Sequence, residues 1–105
     1  MKHAVVITGI GLASSLGEGI DTHADALAAM AAPVVDATSF APYPVHPLKA
    51  LELDRQIPKK SDQRQMEPWQ RLGVYAAGLA LDGAGLKDDA AAKAVLQVIV
   101  AAGGG

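Results

Sequence analysis

Apolar positions fall into three patterns along the chain. Ala4, Val5, Val6 and Ile7 form an unbroken apolar run rich in β-branched residues. That pattern predicts a strand covered on both faces, as in the middle of an α/β sheet. Val95, Leu96, Val98, Ile99 and Val100 form a second such run, which leads into Ala101, Ala102 and three glycines. Between the two runs the period becomes helical. Ile20, Ala24, Leu27, Ala28 and Ala31 predict a first helix over about Gly19 to Ala31, with Asp21 and Thr22 in its first turn and Pro33 stopping it. Trp69, Leu72, Gly73, Ala76, Ala77, Ala80, Leu81 and Ala84 predict a longer one, widened by Tyr75 and Leu79. It begins near Glu67, with Pro68 in its first turn. Gly85 lies just past its end, and Leu86 folds back onto the last turn.

The connections carry their own signals. Thr8, Gly9, Gly11, Ser14, Ser15 and Gly17 make a small-residue loop out of the first strand. Residues 33–58 hold Pro33, Pro42, Pro44, Pro47 and Pro58, which excludes a long helix or central strand. Leu48 to Leu53 can form one short helical turn. An irregular segment of this length is expected to be functional or interfacial, or else a solvated excursion. Gly73, Gly78 and Gly83 each weaken the long helix by about 1 kcal/mol relative to alanine. Close approach of other backbone is the expected compensation. Lys87 to Lys93 is a polar connection in which Asp88 and Asp89 can start a further turn.

Two strands, apolar on every side, need cover on two faces and neighbours at both edges, and the pattern offers two good helices. A two-stranded sheet is marginal alone, and a parallel pair joined by a crossover normally belongs to a larger sheet. The expectation is one α/β unit over residues 1–105 that is incomplete by itself. It would be part of a larger fold, or be completed by a partner.

Composition narrows the function classes. Half the residues are hydrophobic, but many are alanine and only four are aromatic, so the core should be thin. A net charge of −2, with nine Lys and Arg in no long block, argues against nucleic acid. With no cysteine, the chain supplies no disulfide, no thiolate nucleophile and no Cys-based metal site. No secretory signal or membrane span is predicted, and a cytoplasmic location is expected.

Three ordered stretches carry a family resemblance. They are VVITGIGLASSLGEGIDTHADALAAM at the start, IPKKSDQRQMEPWQRLGVYAAGLALDGAGL from Ile57 to Leu86, and VLQVIVAAGGG at the end. In order and spacing they resemble the β-ketoacyl-acyl-carrier-protein synthases, of the thiolase-like fold. Lys60, Arg64, Met66, Glu67 and Trp69 stand where that family has a lysine and an Arg-x-Met-Asp-x-Phe segment. Ala84, Gly85 and Leu86 match its Ala-Gly-Leu helix end. Ser15 stands where the family commonly has proline, and the segment from Val34 to Arg55 does not follow it.

The resemblance implies the N-terminal part of a thiolase-like layered α/β/α fold, with two buried strands and two main helices. It implies a parent acyltransferase that joins acyl and malonyl thioesters by decarboxylative condensation in fatty-acid or polyketide synthesis. It further implies an acyl carrier protein as partner and a homodimer or heterodimer with a synthase subunit. The family's acyl-accepting cysteine, and its two histidines or histidine and asparagine, map beyond Gly105. No catalytic, cofactor or metal residue is therefore assigned, and no cofactor is expected. Lys59, Lys60, Arg64 and Arg71 are the candidate contacts to an acidic carrier protein or an interface, by complementary charge. A solvated helix start is their plainer reading.

Other chemistry reads weakly from the sequence. His3, His23 and His46 are each expected at the surface. Ser14 and Ser15 lack a G-x-S-x-G elbow, and no path from His23 back to them is evident. Helix capping and turn bonds are their expected roles. Thr8-Gly9-x-Gly11 is similar to a dinucleotide-binding turn, with Asp36 as the ribose-binding acid, but Ser14 stands at the third glycine. A non-catalytic scaffold or synthase-like partner subunit is a further alternative. Trp69 reads as a core anchor.

Overall fold

A computed structural model describes residues 3–103. The chain is a small mixed α/β protein with four helices and one two-stranded sheet among those residues. Strands β1 (Ala13–Ser14) and β2 (Gly17–Glu18) pair antiparallel, with Ala13 opposite Glu18 and Ser14 opposite Gly17. The helices are α1 (Ile20–Ala28), α2 (Lys60–Gln65), α3 (Pro68–Ala84) and α4 (Ala90–Ala94). A 3₁₀ turn at Leu53–Arg55 precedes α2. It falls just after the turn expected at Leu48 to Leu53.

The two buried strands expected at Ala4–Ile7 and Val95–Val100 do not form. Neither run has a ladder partner among the described residues. Both are exposed, Val5 at 98% and Ile99 at 93%. An apolar run becomes a strand only where neighbouring strands take up its N–H and C=O groups, and among the described residues none does so here; Val95 N and Leu96 N bond only back to Ala92 O and Lys93 O. The sheet is instead a hairpin with a two-residue connection, Ser15-Leu16, inside the stretch expected to be loop.

Helix α3 starts and stops where its local signals lie. Glu67 accepts from the Gln70 amide, while Gln70 Oε1 accepts from Glu67 N at 2.7 Å, with Pro68 at the first helical position. Gly85, at φ 72°, closes it: Gly85 N donates to Asp82 O and Leu86 N to Leu81 O. Helix α1 ends earlier than expected, and Pro33 is not the cause. Met30 adopts φ 51°, Met30 N donates to Leu27 O, and Ala31 N donates to Ala26 O. A left-handed closure thus ends α1 on methionine in place of glycine.

The N-terminal segment crosses α3 at backbone contact. A Cβ on Gly11 would fall 2.8 Å from the Ala76 carbonyl carbon, and one on Gly9 2.9 Å from Ala84 N. Of the helical glycines, Gly78 is the one that matters most. The Gln56 side chain lies against it, whereas Gly73 faces open space and Gly83 meets Gly9 at an ordinary 3.8 Å. The backbone approach expected at all three is met at Gly83 alone, at ordinary contact distance; Gly78 meets a side chain instead, and Gly73 meets nothing.

The core is as thin as the composition suggests. Ile57 and Tyr75 are its buried hydrophobic side chains among the described residues, with Gln63 beside them. Gln63 Nε2 donates to Ile57 O at 2.6 Å and to Asp54 Oδ1 at 2.7 Å. Arg71 Nε donates to Gln63 O at 2.8 Å, which ties α2 to α3. Trp69, expected as the core anchor, is 38% exposed, and Tyr75 takes that place.

Candidate functional site

The densest side-chain chemistry sits where the hairpin meets α1. Gly17 (φ 127°) and Gly19 (φ 91°) hold backbone conformations that L side chains rarely adopt. They turn the chain so that the first turn of α1 comes back beside β1. His23, on that turn, then reaches Ser14: Oγ lies 2.7 Å from Nε2. His23 Nδ1 lies 2.7 Å from Gly19 O. A carbonyl oxygen only accepts, so Nδ1 carries a proton. In the neutral ring Nε2 is then bare and accepts from the Ser14 hydroxyl. Leu16 N donates to the same Ser14 Oγ at 3.1 Å.

This arrangement corrects two expectations. His23 is half-buried and hydrogen-bonded on both ring nitrogens. Ser14 makes the expected turn bond, from Leu16 N, but it caps no helix and is not isolated from a base. The signal lay in Gly17 and Gly19, which allow a hairpin inside what reads as a loop. His3 and His46 are exposed as expected, with His46 Nδ1 donating to Val34 O at 2.7 Å.

On the far side of β2, Glu18 pairs with Arg55 at 2.9 Å. Arg55 also reaches Glu52 at 2.9 Å. The Glu52 and Glu18 carboxylates, in that order, hold the guanidinium firmly charged by raising its pKa. The hydroxyl of Tyr75 is buried beneath and makes no hydrogen bond among the described residues. Burial first, and the Glu18 carboxylate next, raise its pKa and keep the phenol neutral. A hollow of about 220 Å³ opens beside the hairpin, bordered by Leu16, Gly17, Thr22 and Lys49.

The four candidate cations divide. Lys60 Nζ pairs with Asp54 at 2.8 Å, and with the Gln63 bond this lowers the Asp54 pKa. Arg71 is held on Gln63 O. Lys59 and Arg64 are exposed at either end of α2. Lys59, Lys60 and Arg64 are thus all at the surface, Lys60 already paired, and Arg71 is tied into the fold.

Asp36 is not placed for a ribose. Its Oδ1 accepts from Thr38 N and Ser39 N at 3.0 Å and from Thr38 Oγ1 at 3.3 Å. It opens a local turn closed by a bridge to Val45. Gly9 and Gly11, the supposed phosphate glycines, face α3. The described residues contain no cluster of side chains able to hold a metal, and no helix among them is long and apolar enough to cross a membrane.

A larger groove of about 1030 Å³ runs between Val98–Ala102 and the start of α3, with Met66, Trp69 and Val74 on the helix side. The chain matches no family profile, no curated protein and no solved structure.

Proposed function

We propose that this chain is the framework portion of a β-ketoacyl-acyl-carrier-protein synthase-like protein, built on a thiolase-like fold. The whole protein would condense acyl and malonyl thioesters. These residues supply helices and apolar segments, not the condensing groups. The chain has no cysteine and so brings no thiolate to accept the acyl group.

One observation carries this reading. The Gly9–Gly11 backbone lies across the small-residue face of α3, while the apolar runs beside it stay bare. A layered α/β unit that had one helix in place and lacked the neighbouring strands would leave such runs bare. The surface supports it. A compact 10.7 kDa chain should expose about 5500 Å². This one exposes 8217 Å². Its radius of gyration is 16.3 Å, against about 13 Å for a compact domain of this length. The excess matches the scale of an obligate interface. A further part of the fold, or a synthase subunit in a homodimer or heterodimer, would cover it. Lys59 and Arg64 are the cations best placed to meet an acyl carrier protein.

The bare apolar runs, which a synthase subunit would cover, also fit a second version, in which the protein is a non-catalytic partner of an active synthase. The test is to purify the protein as its cell makes it, weigh it intact, and incubate it with acyl- and malonyl-carrier protein. A 3-oxoacyl product supports the enzyme. Carrier-protein or synthase binding without product supports the partner. A mass near 10.7 kDa with a sharp monomeric melt and no carrier-protein binding would overturn both.

A further inference from the structure

We infer that Ser14 is an activated acyl acceptor, with His23 as its general base, for small activated esters and thioesters. Three features at one place carry this beyond a turn-stabilising bond. The nucleophile and base are at 2.7 Å, inside the range for proton transfer. The second ring nitrogen is anchored on a backbone carbonyl at 2.7 Å, which leaves Nε2 as the free lone pair. The Leu16 amide donates to Oγ from 3.1 Å and fixes its orientation, which leaves the hydroxyl proton for His23. Nucleophile, base and orienting group are the parts an activated serine needs.

The pair is also fixed in place. Ser14 is held in the ladder opposite Gly17, and Lys49 N donates to its carbonyl at 3.4 Å. A hollow of about 220 Å³ adjoins the pair, walled by Leu16, Gly17, Glu18 and Thr22 rather than by Ser14 or His23 themselves. A space that small beside the nucleophile suits a short acyl group rather than a long chain.

The step balances without a further reagent. Ser14 Oγ forms a bond to the acyl carbon as its proton passes to His23 Nε2. The bond from that carbon to the leaving oxygen or sulfur breaks, and His23 returns the proton to the leaving group. The products are an ester on Ser14 and a free alcohol or thiol. This is independent of the framework role, since the condensing reaction uses a different residue type.

The probe is p-nitrophenyl acetate, with nitrophenol release followed by absorbance and the adduct located by peptide mass mapping. One acetyl group on Ser14 of the unaltered protein is the expected result. Ser14→Ala should abolish it. His23→Gln, which keeps a polar partner for Ser14 but no base, should slow it by about a hundredfold or more. Ser15→Ala should leave it within about twofold. Circular dichroism on each variant separates loss of the base from loss of the fold. The assignment falls if the unaltered protein gains no adduct on Ser14, if acetyl groups appear on lysines alone, or if folded His23→Gln reacts at the original rate.

Discussion

Around Gly11 the backbone is pressed against α3; around Val6, a few residues earlier, it touches little, and Val6 is 70% exposed. The two stretches share one segment and similar apolar character. They differ in what the rest of the chain offers them. Gly9 and Gly11 meet the alanines of α3, which have no side chain long enough to hold the backbone away. Ala4 to Ile7 stay exposed, with no strand paired to them among the described residues. The contrast teaches that this sequence finishes the contact of its N-terminal segment on α3 and leaves the apolar run before it without one. Hydrophobic content alone does not bury a residue; a complementary surface must come from somewhere.

The most damaging way to break that contrast is Gly11→Ala. The new Cβ would meet backbone, not a movable side chain, so α3 or the N-terminal segment must shift. Overpacking of this kind costs about 3 kcal/mol, and a core built on Ile57 and Tyr75 has little to spare. Urea titration followed by circular dichroism should show the midpoint falling sharply or the transition disappearing. Gly73→Ala, where nothing stands within reach, should instead stabilise α3 by up to about 1 kcal/mol. Equal effects at the two sites would refute the packing of the segment on α3.

The next test works on the bare side. Val6→Asp combined with Ile99→Asp alters side chains that contribute nothing to the folded chain. Helix content should stay the same, with a stability change under about 0.5 kcal/mol. Self-association should weaken by about tenfold or more, since each apolar side chain buried in an association is worth about 2 kcal/mol. Sedimentation velocity reads this directly. A monomeric unaltered protein would mean that the exposed runs do not drive contact between copies.

Elements whose cause is local were legible in the sequence. Pro68 in the first turn of α3 and Gly85 just past its end mark its bounds, and the Glu67–Gln70 box is the further local device the structure adds. The end of α1 was not, because Met30 takes the left-handed position that a reader assigns to glycine. Gly73 and Gly78 read alike, yet only Gly78 faces the Gln56 side chain, which comes from a distant loop. The Ser14–His23 pair was hidden for the same reason. Nine residues apart, the two meet only because Gly17 and Gly19 fold the intervening chain into a hairpin. The apolar runs were misread in the opposite sense, since their pattern states what they need and not what the chain contains.

Tyr75 sharpens the finished side by a smaller amount. Its ring fills the core, but its hydroxyl is buried without a hydrogen bond. Tyr75→Phe keeps the ring and removes the stranded polar group. Stability should hold or rise by up to about 1 kcal/mol, since an unsatisfied buried hydroxyl is a liability. A thermal melt checks this. A loss beyond about 1 kcal/mol would show that the hydroxyl is bonded in solution, with the Glu18–Arg55 pair as the nearest source.

The smallest effect lies in the proline-rich segment, away from both stretches. Hydrogen bonds from the Ser39 hydroxyl first, then from the Ser39 and Thr38 amides, lower the Asp36 pKa from 3.8 to about 2. A depressed carboxyl stabilises the turn fully above its unfolded value and loses that contribution as pH falls through the folded one. The turn should therefore be intact at pH 5 and open as pH drops from about 4 through about 2. The Thr38 and Ser39 amide resonances report it, and Asp36→Asn should make them far less sensitive over that window. The bonds of Asp36 are solvent-facing and within the turn, so α3 signals should not move with them. If α3 resonances shift at the same midpoint, the proline-rich segment is energetically joined to the packed side, and the boundary between finished and unfinished regions must be drawn on its other side.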